Sequence, residues 1–251
     1  MNVDLNSDLG EGFGAWRLTE DDALLDIVTS ANLACGLHAG DPEIMARVFT
    51  RAREKGIRVG AHPGFPDLWG FGRRRIPFST GEIERLIAYQ LGAAQGLAAY
   101  AGSRLAYVKA HGALSNMAEE SPDIAAAIAR AVKAVDPSLP ILAGPLGAQA
   151  HATEHAGLRP VAEVFADRAY GQDGLLAPRG QPGAVITEAE DAAARVVAMV
   201  RDAAIITLCG RRLPTAIESI CVHGDGPHAV ETARLVRARL EQEGIRVVPF
   251  V

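Results

Sequence analysis

Short apolar runs alternate with longer amphipathic ones along almost the whole chain. Runs of strand length are VDLN (3 to 6), ANLAC (31 to 35), IRVGA (57 to 61), LAYVK (105 to 109), PILAG (140 to 144), VAEVFA (161 to 166), SICVH (219 to 223) and the terminal IRVVPFV. Helices are predicted between most of them, because residues that cap free backbone N–H groups recur there. Asp41 precedes Pro42 and Glu43, Ser79 stands three before Glu82, Ser121 precedes Pro122, Thr187 stands three before Glu190, and Pro227 heads a segment closed by Gly244. ITLCGRRLPTAI (206 to 217) predicts a hairpin with Gly210 near its turn. Alternation repeated about eight times in 251 residues favours a closed β/α barrel in a single domain, 1 to 251, over an open doubly wound sheet.

Composition narrows the setting. At 49% hydrophobic residues the chain can bury a full core, and a net charge of -5 supplies no overall basic field for nucleic acid or an anionic membrane. No basic region followed by an apolar core opens the sequence, and no run of membrane-spanning length occurs, so a soluble, untargeted protein is expected. Cys35, Cys209 and Cys221 are odd in number and outside any CxxC spacing, which fits reduced thiols and a cytoplasmic setting.

A barrel gives positions a chemical meaning, since such enzymes build their sites at the C-terminal ends of strands. Polar residues collect there: Asn6, Asp8 and Glu11 after the first strand, His38 and Asp41 after the second, and His62 at the third. Lys109, His111 and Asn116 follow the fourth strand; Glu163, Asp167, Arg168, Tyr170 and Arg179 belong to the sixth; His223, Asp225 and His228 belong to the seventh. Five of the seven histidines therefore share one predicted rim. The loop AHPGFPDLWGFGRRRIPF (61 to 78) adds Arg73, Arg74 and Arg75 between aromatics and glycines, as a lid for an anion would. Plainer roles compete: Asp41 as a helix cap, Glu11 and Arg179 as a rim pair, the arginines as a solvated face.

Some motifs are discounted. HATEH (151 to 155) fits an H-x-x-E-H zinc pattern but falls in a weakly apolar helix away from the rim. GEGFG (10 to 14) is not GxGxxG, and neither a P-loop nor a GxSxG elbow occurs.

NSDLGEGFG, SANLACGLHAGDP, GAHPGFPDLWGFGRR, VKAHGALSN, EVFADRAY and CVHGDGPHAV together resemble the signature blocks of the LamB/YcsF family, in family order over nearly the whole chain. The resemblance implies an irregular, seven- to eight-stranded β/α barrel of the glycoside hydrolase/deacetylase type. It implies one component, the A subunit, of a bacterial enzyme that opens 5-oxoproline to L-glutamate with hydrolysis of ATP, working with two other subunits, B and C. ATP, alone or with Mg2+, is then a co-substrate, with no tightly bound cofactor. Ser7, Ala110, Ser115 and Gly226 depart from the family pattern. Gly226 is a mild change at a helix cap, whereas Ala110 and Ser115 alter the site wall and put substrate preference in question.

Opening an unstrained lactam needs carbonyl activation, cations for anionic groups and a base for water. The catalytic candidates are Asp8, His38, His62, Lys109 and His111; Asn6, Glu11, Arg73, Arg74, Asn116, Glu163, Arg179, His223 and Asp225 are candidates for binding substrate. Arg73 or Arg74 with Lys109 would hold anions, Asp8 or His62 would be the base, and His38 and His111 would orient the carbonyl. Two rival functions remain: a stand-alone metal-dependent amide or carbohydrate deacylase with Asp8, His38 and His62 as ligands, and a non-catalytic binding or docking subunit. Assembly as a homo-oligomer is compatible with either.

Overall fold

In the first strand apolar and polar positions alternate, yet both faces are buried. Val3, Leu5 and Leu9 join the main hydrophobic core, while Asp4, Asn6 and Asp8 point the other way and are at most 3% exposed. A closed barrel explains both, because one strand face meets the helices and the other meets the lumen. The computed structural model describes residues 1–226 and 228–251, and in it seven parallel strands close in the order β1 (Asn2–Leu9), β2 (Ser30–Ala34), β3 (Arg58–His62), β4 (Val108–Lys109), β5 (Ile141–Ala143), β6 (Pro160–Phe165) and β9 (Ser219–Val222), which returns to β1. β10 (Arg246–Val247) pairs only with Asn2 and Val3, because from Asp4 onward the same edge of β1 belongs to β9. The terminal run thus adds a two-residue patch to the barrel wall and no eighth stave.

Helices cover the outside: α1 (Asp21–Leu25), α2 (Pro42–Lys55), α3 (Thr80–Tyr100), α4 (Gly112–Glu120), α5 (Pro122–Val135), α6 (Ala148–His155), α7 (Ala189–Asp202) and α8 (Ala229–Gln242). Asp41 caps α2 by accepting the Ile44 N–H at 2.9 Å, and Ser79 with Glu82 forms a reciprocal capping box on α3. Thr187 does not cap α7. Its hydroxyl turns to the Glu188 carboxylate, and the helix begins one residue later than its sequence signal. Pro227, expected at the head of α8, lies outside the described residues. The hairpin expected at 206 to 217 is β7 (Ala204–Ile206) against β8 (Arg212–Pro214), antiparallel, inserted before β9. No helix is long and apolar enough to cross a membrane among the described residues.

The lumen is polar in layers. At its lower end the Asp4 carboxylate accepts hydrogen bonds from Thr29, Ser30 and Ser219. Above it, Asn6 donates to Glu163 Oε1 at 2.9 Å, Asn32 donates to Asn6 at 2.6 Å, and the Tyr107 hydroxyl donates to Asn32 at 2.7 Å. Gly60 makes room for Tyr107, since a Cβ there would lie 2.2 Å from the ring. Burial pushes Asp4 up to about 6 despite its three hydroxyl donors. A carboxyl raised in the folded state stabilises fully below its unfolded pKa, and that stability is lost as pH rises through the folded value. With 3.8 as the reference and about 6 in the fold, the window runs from about pH 4 to 6 and spans up to about 3 kcal/mol. Asp4→Asn should therefore gain on the wild type by that order between pH 4 and 6 in urea titrations; a pH-independent difference would contradict it.

Candidate functional site

The C-terminal ends of β1, β3, β4, β6 and β9 converge on Lys109. Its ammonium lies 3.1 Å from Asp8 Oδ1, 2.9 Å from Glu163 Oε1 and 3.0 Å from Cys221 Sγ, with the side chain about 5% exposed. Burial disfavours the lysine's charge, but Asp8, Cys221 and Glu163 outweigh burial and hold its pKa well above the ordinary value. Asp8 is likewise pushed up by burial and pulled down further by Lys109 and His62, so it stays ionised well below the usual carboxylate range. Asn32 fixes the same carboxylate with a 2.8 Å hydrogen bond.

Beside this group sit three imidazoles and a carboxylate. His62 donates from Nδ1 to the Lys109 carbonyl at 2.8 Å, and His111 donates from Nε2 to the Phe71 carbonyl at 2.8 Å; the carbonyls fix both tautomers. His38 stacks on His111 with centroids 3.7 Å apart, and Glu11 Oε1 lies 3.5 Å from His111 Nδ1 and 3.7 Å from His38 Nε2. Burial, then His62 for His38 and His38 for His111, pushes both rings well below the ordinary imidazole value, so they are neutral. Burial and the Asp8 and Asp225 carboxylates push Glu11 well up.

His223 forms a separate pair. Its Nδ1 donates to Asp167 at 2.8 Å, leaving Nε2 3.9 Å from Asp8 Oδ2. Burial raises Asp167, and His223 more than offsets this, so its pKa is lowered.

These groups face a cavity of about 220 Å3 bounded by Asp8, His62, Lys109, His111, His223 and Arg73. A second chamber of about 250 Å3 adjoins it through Asn116, Phe165, Arg168 and Arg179. Candidates brought to this mouth are Asp8, His62, Arg73, Lys109, His111, Asn116, Arg179 and His223, while Glu163 lines the second chamber. Others are placed differently. Asn6 lies in the lumen, and Glu11 and His38 lie behind His111, so Glu11 does not pair with Arg179. Asp225 is held at the rim by its 2.7 Å ion pair with Arg73. Arg74 turns back to Asp67 within its own loop, Arg75 pairs with Glu120, and His228 is exposed beside Glu231. Arg168 holds the loop after β6 by donating to the Ala177 carbonyl at 2.7 Å, and the Tyr170 hydroxyl accepts from the Phe165 N–H at 2.8 Å. The HATEH histidines are exposed on α6.

Chain 61 to 78 is anchored to the site. Phe71 has φ of 52° and Gly72 of 62°, a left-handed pair that turns the Phe71 carbonyl to His111 and the Gly72 carbonyl to the Ala113 N–H at 2.9 Å. Residues that linear inspection passed over are Asp4, Ser30, Asn32, Tyr107, Ser219 and Cys221. For Asp4, Ser30, Asn32, Ser219 and Cys221 the signal was the period-two alternation of β1, β2 and β9, which marks a second buried face; Tyr107 carried none.

A closed parallel β/α barrel with charged and imidazole side chains gathered at its C-terminal mouth is an enzyme-type scaffold. The chain belongs to the LamB/YcsF family, whose profile matches residues 3–251. It is 68% identical over 249 residues to the A subunit of 5-oxoprolinase from Azorhizobium caulinodans, covering 99% of this chain and 98% of the relative. With the protein of the same name from Gluconobacter oxydans it shares 57% identity over 245 residues, 98% of this chain and 96% of the relative. The crystal structure of the lactam utilization protein from Thermus thermophilus superposes with a TM-score of 0.94 at 44% identity over 100% of both chains.

Proposed function

We propose that this chain is the A subunit of an ATP-dependent 5-oxoprolinase, acting with two partner subunits to open 5-oxoproline to L-glutamate as ATP goes to ADP and phosphate. The name shared by near full-length relatives supports the reading. The observation that carries it is the small mouth itself, in which Lys109 sits against two carboxylates beneath Arg73, Arg179 and His223. At about 220 Å3 it is smaller than the roughly 300–1,000 Å3 of drug-sized pockets and suits a five-membered ring.

In this reading Arg73 and Arg179 supply the positive charge for the substrate carboxylate and the phosphate, with Arg73 exchanging its Asp225 partner for the ligand. The amide oxygen takes the γ-phosphoryl group and ADP leaves; water then adds to the activated carbon and the C–N bond breaks to an acyl phosphate. A second water releases phosphate and glutamate. Lys109 is a fixed cation for charge developing at the former amide oxygen. His223 is the better base: Asp167 holds its tautomer so that Nε2 is free, whereas Asp8 is committed to Lys109 and Asn32.

A second reading, a metal-dependent deacylase acting alone, draws on the cluster of Glu11, His38, His62 and His111. One assay separates the two: glutamate release from 5-oxoproline by the chain alone and with its two partner subunits, each with and without ATP. Release only from the ATP-supplied mixture is expected. ATP-independent release by the chain alone would favour the second reading, and no release from an assembled, ATP-supplied complex would sink the first.

A further inference from the structure

The pair of fixed tautomers has a cost. Since His62 Nδ1 and His111 Nε2 both donate to backbone carbonyls, the other nitrogen of each ring, His62 Nε2 and His111 Nδ1, carries a lone pair whenever the ring is neutral; the two face each other at 3.0 Å, with Asp8 Oδ1 3.5 Å from His62 Nε2. Two acceptors at that distance repel unless something positive lies between or beside them. The same place has buried polar atoms with no hydrogen-bond partner: Glu11 Oε1 and both ring nitrogens of His38, in residues 1% and 0% exposed. Leaving such buried atoms unpaired is destabilising.

We propose that Glu11 Oε1, His62 Nε2 and His111 Nδ1, joined by His38, bind a divalent cation of borderline softness, of the zinc type. Donor atoms of the four residues all lie within 4.8 Å of one another, with separations of 3.0, 3.5 and 3.7 Å. A tetrahedral zinc with bonds of about 2.0–2.2 Å has edges of about 3.4 Å, close to these three separations. Three imidazoles and one carboxylate suit zinc and its first-row neighbours better than magnesium or calcium. The Lys109 and Phe71 carbonyls supply the outer hydrogen bonds that metal-binding histidines require. His38 lies face to face with His111, within 5° of parallel, so its lone pair converges on the ion only after its ring turns. It is therefore the weakest ligand of the four.

This set differs from Asp8, His38 and His62, the ligands named for the rival deacylase reading. Asp8 is already served by a cation, because the Lys109 ammonium stands 3.1 Å from its Oδ1 and 3.0 Å from Cys221 Sγ, beside a second cluster of metal-type donors among the described residues, Asp8, Cys221 and His223. The proposal does not rest on the lactam reading, and its test uses neither lactam nor ATP.

The full chain would be stripped with chelator, checked for folding by circular dichroism, and titrated with Zn2+ and Co2+ by calorimetry, with metal content measured after gel filtration. One equivalent per chain is expected, with a Co2+ visible band of tetrahedral intensity. Glu11→Gln keeps size and shape and should weaken binding at least tenfold; His111→Ala should weaken it further, by more than the roughly 10–100-fold that outer hydrogen-bond partners cost. The double variant His151→Ala/His155→Ala should bind as the wild type does. Folded, stripped wild type that takes up no stoichiometric ion would overturn the proposal. So would full binding by Glu11→Gln, loss of the ion in the α6 double variant, or nitrogen NMR showing a proton shared by His62 and His111 in metal-saturated protein.

Discussion

Lys109→Met is expected to cost the protein about 3–5 kcal/mol and to lower turnover of the assembled enzyme by on the order of 10^2–10^3. Methionine fills much of the same space, so the loss is electrostatic: Asp8 and Glu163 remain buried without the cation that stands 3.1 and 2.9 Å from them. The sign with pH follows. In the wild type Lys109 helps to hold Asp8 far below its ordinary pKa, whereas without it burial pushes the carboxyl up. A raised folded pKa means stability that is lost as pH rises, so the variant's deficit should be larger at pH 8 than at pH 5. Urea unfolding at the two values reads this directly. A variant as stable as the wild type at pH 8 would show that the buried ion pairs give no net stabilisation, and normal turnover would remove Lys109 from the mechanism.

The second large effect concerns the proposed base. His223→Gln in the assembled complex should lower kcat by about 10^2–10^4, the usual contribution of a positioned proton acceptor, with a smaller change in KM. Asp167→Asn should lose less and also mainly in kcat, because Asp167 acts only through the 2.8 Å hydrogen bond that orients the ring. A variant pair that raised KM and spared kcat would make His223 a binding residue, and near-normal kinetics would return the base to Asp8 or His62.

The arginine run shows how far linear inspection reaches. A glycine-rich loop carrying three consecutive arginines after a barrel strand was readable as a site element, but which arginine faces the mouth was not. The left-handed turn at Phe71 and Gly72 sends Arg73 across the cleft to Asp225, Arg74 back to Asp67 and Arg75 to Glu120 at the edge of the second chamber. Likewise, five histidines were assigned to one rim; four lie at or behind the mouth, and His228 leaves with the exposed start of α8. Glu11, spaced as a rim residue, lies beneath His111 because the loop after β1 turns inward.

Local chemistry written in the sequence determined most of the barrel's elements, two of its helix caps and the polar character of its strand ends. Apolar periodicity, capping side chains and turn residues act over a few positions and can be read there. The tertiary structure decided the rest: that seven strands and not eight close the ring, that the alternate face of β1 forms a polar lumen, and that Lys109 is shared by Asp8 and Glu163 from strands far apart in sequence. These depend on which strand edge β9 occupies and on contacts across the barrel, so no short stretch of sequence contains them.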